Sequence, residues 1–512
     1  MLFKRPTVIL FLTAGLFCLN AVFVANLAVN SVDIHACDDN SYSIIGIRYP
    51  EYPLPPTWAP LYVMWHKALS LVTSSHLQEY LLNVWLLTAI TPLALFFLFL
   101  KLNAAPLSAV LLSWPLLTSF SNSLECPKVN VFAVLMQIVT ILTSLSLESP
   151  SARLRVLCLG LFATAYVRPE LTYAAITFFA LCVYWEQENL LSVRWLHVVL
   201  ACTLLTVAFG FPLQERGYNR ELATFGPSLV KSLDVWQSKQ SNIYEEEVWQ
   251  QALRFHFGEI QGIFGALLAN PRVFAKHLLT KLNDVPSAFE MSLRANQSLN
   301  ALPPKRFTGF VLLLFGLVTL VYTGRKSARV KENILRFKHE LAFLCLSLAC
   351  ALSPIIVAVL YPRHLYSIVV LSLIMAALLF APFAKEERRP LVAPATAGLF
   401  LVLTLITKAS PSFLENRNAL QELNALYAAR NNLIWSCPGY LADYIGSGRE
   451  SVHLSGPVKV LVENNVRFVV LKDCPRLTDK TVRETFIKGL IEHGFVPISE
   501  KDAPYQAFFR KG

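Results

Sequence analysis

The sequence predicts a membrane all-α protein of about eleven transmembrane helices, closed by a small C-terminal extracytoplasmic α/β domain. Three observations predict it. Hydrophobic residues make up 54% of the 512-residue chain and charged residues 15%, where soluble domains carry about a quarter charged. The apolar residues arrive in repeated blocks, several near the roughly 20 residues a helix needs to cross hydrocarbon. Past Lys408 the blocks stop and the composition becomes soluble, which divides the chain into residues 1–408 and 409–512.

Taken in order, Thr7 to Val29 is uncharged and follows Lys4-Arg5. It is longer than a signal-peptide core and no small-x-small cleavage site follows it, so it reads as a permanent helix. Clear spans follow at Leu81 to Leu100, Val129 to Leu147, Trp195 to Pro212, Leu341 to Leu360 and Leu365 to Phe383. Shorter ones are read at Pro106 to Phe120, Val156 to Val167, Leu171 to Tyr184, Phe307 to Tyr322 and Leu391 to Ile406. Basic residues in short loops stay cytoplasmic. Lys4-Arg5, Lys101, Arg153, Arg155, Arg194, the cluster from Arg325 to Lys338, and Lys385, Arg388 and Arg389 all fall on one side of this arrangement. The N-terminus is therefore expected in the cytoplasm and the C-terminal domain outside it. The formal charge of +11 is largely this bias, which leaves no reason to invoke nucleic acid.

The extracytoplasmic regions are expected to build the working surface. The loop 30–79 carries Asp38-Asp39, then prolines interleaved with Trp58, Tyr62 and Trp65; Leu61 to Val72 suits an interfacial helix. A short loop, Ser121 to Lys128, holds Glu125. In the long loop 213–306, Trp249, Leu253 and Phe257 recur at helical spacing, and Ile263 to Leu282 alternates apolar with basic residues. Both patterns fit helices on a membrane surface, or amphipathic helices packed on the protein itself. In the tail, strands are expected at Leu433 to Ser436, Ser451 to Leu454, Val466 to Leu471, Phe495 to Ser499 and Gln506 to Arg510. Helices are expected near Pro438 to Ile445, Pro457 to Asn464 and Asp479 to His493.

Cys18, Cys158, Cys182, Cys202, Cys345 and Cys350 lie in spans as small packing residues, while Cys37, Cys126, Cys437 and Cys474 face the oxidising side with their pairing open. Asn296-Gln297-Ser298 is a glycosylation sequon on that side. No CxxC, HExxH, Walker loop or GxSxG elbow occurs, which argues against a zinc protease, an ATPase and a serine hydrolase.

Asp38-Asp39-Asn40-Ser41-Tyr42 just after the first span, Pro56-Thr57-Trp58-Ala59-Pro60-Leu61-Tyr62, Glu125 before the fourth span, Arg168-Pro169-Glu170 and Pro362-Arg363-His364-Leu365-Tyr366 occur in that order on one side. In this layout the chain resembles the GT-C superfamily of polytopic glycosyltransferases. Within it the layout is similar to the branch of protein O-mannosyltransferases and the bacterial lipid A aminoarabinose transferase. His364 departs from the aromatic usual in that family's late motif. The resemblance implies a GT-C-like helical domain in a bacterial inner membrane. The implied reaction moves a sugar from a polyprenyl-phosphate donor to a lipid, glycan or protein acceptor outside the cytoplasm.

Such a transfer needs a base for the incoming nucleophile and cations for the departing phosphate. Asp38 is the candidate base, Asp39 its partner or the holder of a divalent cation, and Glu125 a third acid at the same surface. Arg168 and Arg363, with His364 beside them, are candidates for the phosphate because a guanidinium is a permanently charged fork of donors; each Arg can equally be a snorkelling interfacial residue. Tyr42, Trp58, Lys128 and Glu170 are candidate substrate contacts, though Glu170 can simply pair with Arg168 and Glu125 with Lys128. A flippase or transporter of a lipid-linked substrate and a noncatalytic membrane scaffold are the other two classes the sequence allows. The first would need polar groups deep within the spans.

Overall fold

The computed structural model describes residues 6–32, 38–51, 54, 58–123, 128–187, 193–213, 220–238, 241, 245–293, 318, 330–353, 362–380, 423, 434–437, 458–464, 466–471, 480–499 and 505–510. In chain order the helices are α1 (Pro6–Ser31), α2 (Asp38–Arg48), α3 (Pro60–Ser70), α4 (His76–Lys101), α5 (Pro106–Leu117), α6 (Phe120–Ser123), α7 (Val129–Ser146), α8 (Pro150–Ala165) and α9 (Leu171–Trp185). They continue with α10 (Val193–Phe209), α11 (Arg220–Gln237), α12 (Glu246–Phe257), α13 (Ile263–Ala269), α14 (Pro271–Leu293), α15 (Val330–Arg336), α16 (Lys338–Ala351) and α17 (Pro362–Leu379). The tail follows as β1 (Ile434–Cys437), α18 (Val458–Glu463), β2 (Phe468–Leu471), α19 (Lys480–Glu492), β3 (Phe495–Pro497) and β4 (Gln506–Arg510).

Local chemistry sets several boundaries. Pro106 and Pro150 open α5 and α8, where a missing N–H costs nothing, and the Ser149 side chain accepts from the Ala152 N–H to cap α8. Gly258, at φ +72°, stops α12 in a backbone conformation that side chains resist. Three helical segments, Leu10–Asn30, His76–Lys101 and Val129–Ser146, are long and apolar enough to cross a bilayer. Shorter apolar helices occupy Pro106–Leu117, Leu171–Trp185, Trp195–Phe209 and Arg363–Leu379. On α9 and α10 the outward face is itself apolar: Tyr173, Ile176 and Phe179, then Leu196, Val199, Leu200, Leu204 and Val207 are exposed. A soluble helix turns such a stripe inward, so these helices mark a membrane-associated protein. The expected segments 307–322, apart from Val318, and 391–406 lie outside the described residues.

The chain divides into two compact units. The first comprises residues 1–27, 55–60 and 87–409. In it α7 and α8 cross so closely that a Cβ on Gly160 would stand 2.3 Å from the Thr140 side chain. Phe178 of α9 meets Phe343 of α16 edge-on at 6.1 Å, and α14 packs on α17 through Val285, Ala288 and Phe289 against Leu365 and Ile368. Helices α11 to α14 share a core of Phe225, Leu229, Trp249, Leu253, Phe257, Ala266 and Phe274. The Trp249, Leu253, Phe257 stripe is thus packed on the protein itself, the second of the two readings its spacing allows. Apolar surface on these helices lies elsewhere, at Phe255, Phe264 and Leu268.

The second unit comprises residues 28–54, 61–86 and 410–512. Its tail folds into a four-stranded sheet in the order β1-β2-β4-β3, with β1 parallel to β2 and the other pairs antiparallel. All four residues of β2 are buried, as a central strand requires, and Trp435, Val458, Leu461, Val469, Leu490 and Phe508 pack between sheet and helices. The expected strand at 451–454 and helix at 438–445 lie outside the described residues.

Candidate functional site

The first unit gathers positive charge around the turn that joins α8 to α9. Tyr166 ends α8 and ties the turn to α10 by donating to the Gly210 carbonyl at 3.1 Å. Two residues on, Arg168 donates from Nε to Glu170 Oε1 at 2.6 Å, places a second guanidinium nitrogen on the same carboxylate, and donates from the other to Asn130 Oδ1 in the first turn of α7. Glu170 therefore does pair with Arg168, whose guanidinium is held between this turn and α7.

Beside this turn lies a cleft with about 30 Å³ of free volume, lined among others by Asn130, Gln137, Arg168, Glu170, Ser347 and His364. That is room for a water rather than a sugar. Asn130 Nδ2 and Ser347 Oγ are buried there with no hydrogen-bonding partner among the described residues. His364 and Arg363 stand in the first turn of α17, and the charges of Arg168, Arg363 and Lys281 all fall on His364.

Lys281, on α14, is the residue that sequence reasoning missed. It is 1% exposed and its Nζ meets no hydrogen-bonding partner among the described residues. Burial pushes the ammonium down to about 8, Lys231 pushes the same way and Asp284 opposes them. A partial signal existed: Phe274, His277, Lys281 and Ala288 share one helix face by spacing, and the structure buries all four. One turn earlier, His277 Nδ1 lies 2.8 Å from Ser232 Oγ.

A hydrogen-bonded joint stands next to the cluster. Lys128 is buried and donates to the Asn122 carbonyl at 2.6 Å; the Asn122 amide donates to the carbonyls of Thr88 and Leu117, and Tyr366 donates to Asn122 Oδ1 at 3.3 Å. Lys128 is thereby part of the fabric joining α4, α6 and α17.

Of the remaining sequence candidates, Tyr42 is buried against the Tyr62 ring at 5.4 Å and Trp58 is exposed. Asp38 and Asp39 open α2, with their side chains outside the described residues, as is Glu125. Cys37, Cys126, Cys437 and Cys474, expected on the extracytoplasmic side, also fall outside, wholly or by their side chains. Among the described residues no group of three His, Cys, Asp or Glu side chains converges as a metal site.

The second unit holds a separate buried polar group. Ser43 of α2 donates to Glu79 Oε2, and His66 Nδ1 of α3 lies 2.5 Å from Glu79 Oε1. Asn83 donates to the Tyr62 hydroxyl at 2.9 Å and accepts from Trp65 Nε1 at 2.9 Å, which fastens α3 to α4.

No protein-family model matches the chain, and no curated protein matches it.

Proposed function

We propose that this chain is an integral-membrane glycosyltransferase that takes a sugar from a polyprenyl-phosphate donor and passes it to an acceptor on the extracytoplasmic side. The observation that carries the anionic half of this reading is Lys281. A buried ammonium with no hydrogen-bonding partner among the described residues costs several kcal/mol, and Lys231 adds like-charge repulsion to it, while Arg168 and Arg363 bear with it on His364. A cation held out of water is stabilised when an anion arrives beside it, and a lipid phosphate is the anion a membrane protein meets at its surface. The sugar and the transfer come from the order of short motifs, with Asp38 as the base that activates the acceptor and Asp39 beside it. Eleven spans with a cytoplasmic N-terminus belong to the same proposal.

A second reading, a flippase of a lipid-linked substrate, is favoured by Gln137 and Ser347, polar side chains that line the cleft between apolar helices. The two part on chemistry. Purified full-length protein in nanodiscs, given a polyprenyl-phosphate sugar, should release or transfer the sugar. Asp38→Asn should cut turnover at least about a hundredfold, the usual scale of a general base, with thermal stability near wild type. Donor that binds and crosses the bilayer with its sugar still attached would replace the transferase by the flippase. Full turnover in Asp38→Asn would remove that residue as the base.

A further inference from the structure

We infer that the end of α9 opposite the Arg168 turn binds the headgroup of an anionic phospholipid through Arg153, Arg155 and Lys338, with an acyl chain along the exposed face of α9. The inference stands apart from the proposed transfer reaction.

Helix α9 is apolar and 15 residues long, so Trp185 at its end lies about 21 Å from Leu171 at 1.5 Å per residue. Four helix ends meet there. Ser151 in the first turn of α8 donates to Glu186 Oε2 at 2.8 Å, and Trp195 at the start of α10 donates to the same oxygen at 2.5 Å. His339 in the first turn of α16 lies against the Trp185 ring at 4.9 Å, and Lys338 places Nζ 5.8 Å from the centre of that ring. The charges of Lys338, Glu186 and Arg153 all fall on His339, which puts them in one neighbourhood.

The cations here hold neutral partners. Arg153 donates from Nε to the Leu147 carbonyl at 2.7 Å, Arg155 from one terminal nitrogen to Ser151 Oγ at 2.9 Å, and Lys338 faces a ring. Of the acids, Glu186 has Oε2 engaged by Ser151 and Trp195, Glu340 is 1% exposed and accepts from Ser144 Oγ at 2.7 Å, and Glu148 is exposed just before the α8 cap. A basic side chain at a membrane surface that is not neutralised by the protein draws an anion from the leaflet.

The surface beside these cations selects the source of that anion. Tyr184 is 71% exposed, and Ile176 and Tyr173 continue the same exposed face of α9, with Phe179 at its edge. Tryptophan and tyrosine at the end of an apolar helix mark the level of the headgroups, and basic residues beside them favour anionic lipid. A soluble anion would satisfy the cations and leave the apolar face bare. A phospholipid covers both.

Full-length protein in detergent, titrated with phosphatidylglycerol or phosphatidylcholine and followed by native mass spectrometry and thermal scans, tests this. Phosphatidylglycerol should bind at least about tenfold more tightly and raise the melting temperature further, the scale of two or three basic side chains near an anionic surface. Arg153→Gln combined with Lys338→Gln should remove most of that preference and leave phosphatidylcholine binding as it was. Equal binding of the two lipids, or a preference that survives in the folded double variant, overturns the inference. Glycerol phosphate carries the headgroup charge without chains and should not displace phosphatidylglycerol at equal concentration; displacement would replace the lipid by a free phosphate. Lys281→Met should keep the preference, and its loss there would move the lipid to the cluster around Lys281 and overturn the assignment. If the double variant does not fold, a photoreactive phosphatidylglycerol decides on the wild type: crosslinks should fall on residues 173–184 and 338–339, and crosslinks confined elsewhere overturn the site.

Discussion

At the scale of the single residue, Lys281 makes opposite demands on binding and stability. Its ammonium titrates at about 8, below the ordinary 10.5. Between those values the unfolded chain holds a proton that the folded chain has given up, so stability without ligand rises with pH across that window. Anion binding does the reverse and weakens as pH climbs through about 8, where the charge is lost. Lys281→Met should therefore raise the melting temperature of the ligand-free protein near neutral pH and weaken polyprenyl-phosphate binding about tenfold or more, the scale of one charge-assisted contact. Thermal scans with and without polyprenyl phosphate measure both at once. A variant that melts lower and binds unchanged would make Lys281 an ordinary packing residue. The sequence showed Arg168 and Arg363 because arginines beside proline at helix ends stand out. Lys281 was hidden because its meaning depends on which face of α14 is covered, and Phe274 and Ala288 reveal that face only once α11 and α17 are packed on it.

At the scale of the element, length and apolarity located α1, α4 and α7 to within a few residues, since a long uncharged run has few other uses. The α12 stripe of Trp249, Leu253 and Phe257 shows the limit of that legibility. Period gives a face and says nothing of what covers it, and here the cover is Phe225 and Phe274 rather than lipid. Strands β2 and β4 were legible from their β-branched and aromatic runs; β3 runs only over Phe495–Pro497, though the Ile498 N–H still donates to the Ala507 carbonyl of β4 at 2.8 Å. The crossing of α7 and α8 gives the element-scale prediction. Gly160→Ala forces a methyl against Thr140 and should cost about 1–3 kcal/mol by overpacking. Because Asn130 lies toward one end of α7 and Arg168 just beyond α8, a wider crossing should also loosen their bond and reduce phosphate affinity. Thr140→Ala added to Gly160→Ala should recover most of both losses, as a coupled pair must; losses that simply add would place the strain elsewhere.

At the scale of the whole molecule, the distribution of basic residues predicts sidedness. A cysteine label at position 331 should react only from the cytoplasm and one at position 272 only from the opposite side. Both are exposed positions in the same compact unit, so a shared side would overturn the eleven-span arrangement without disturbing the packing already described.

The Lys281 charge, which meets no hydrogen-bonding partner among the described residues, carries a consequence for the molecule in its native bilayer. Whatever anion settles beside that ammonium contributes to folding in proportion to the logarithm of its abundance over its Kd, about 2.7 kcal/mol at a hundredfold excess. On the proposed function that anion is the donor phosphate, and the lifetime of the protein would then follow the donor's supply. A membrane drained of lipid phosphate should hold fewer folded copies, and one well stocked should hold more.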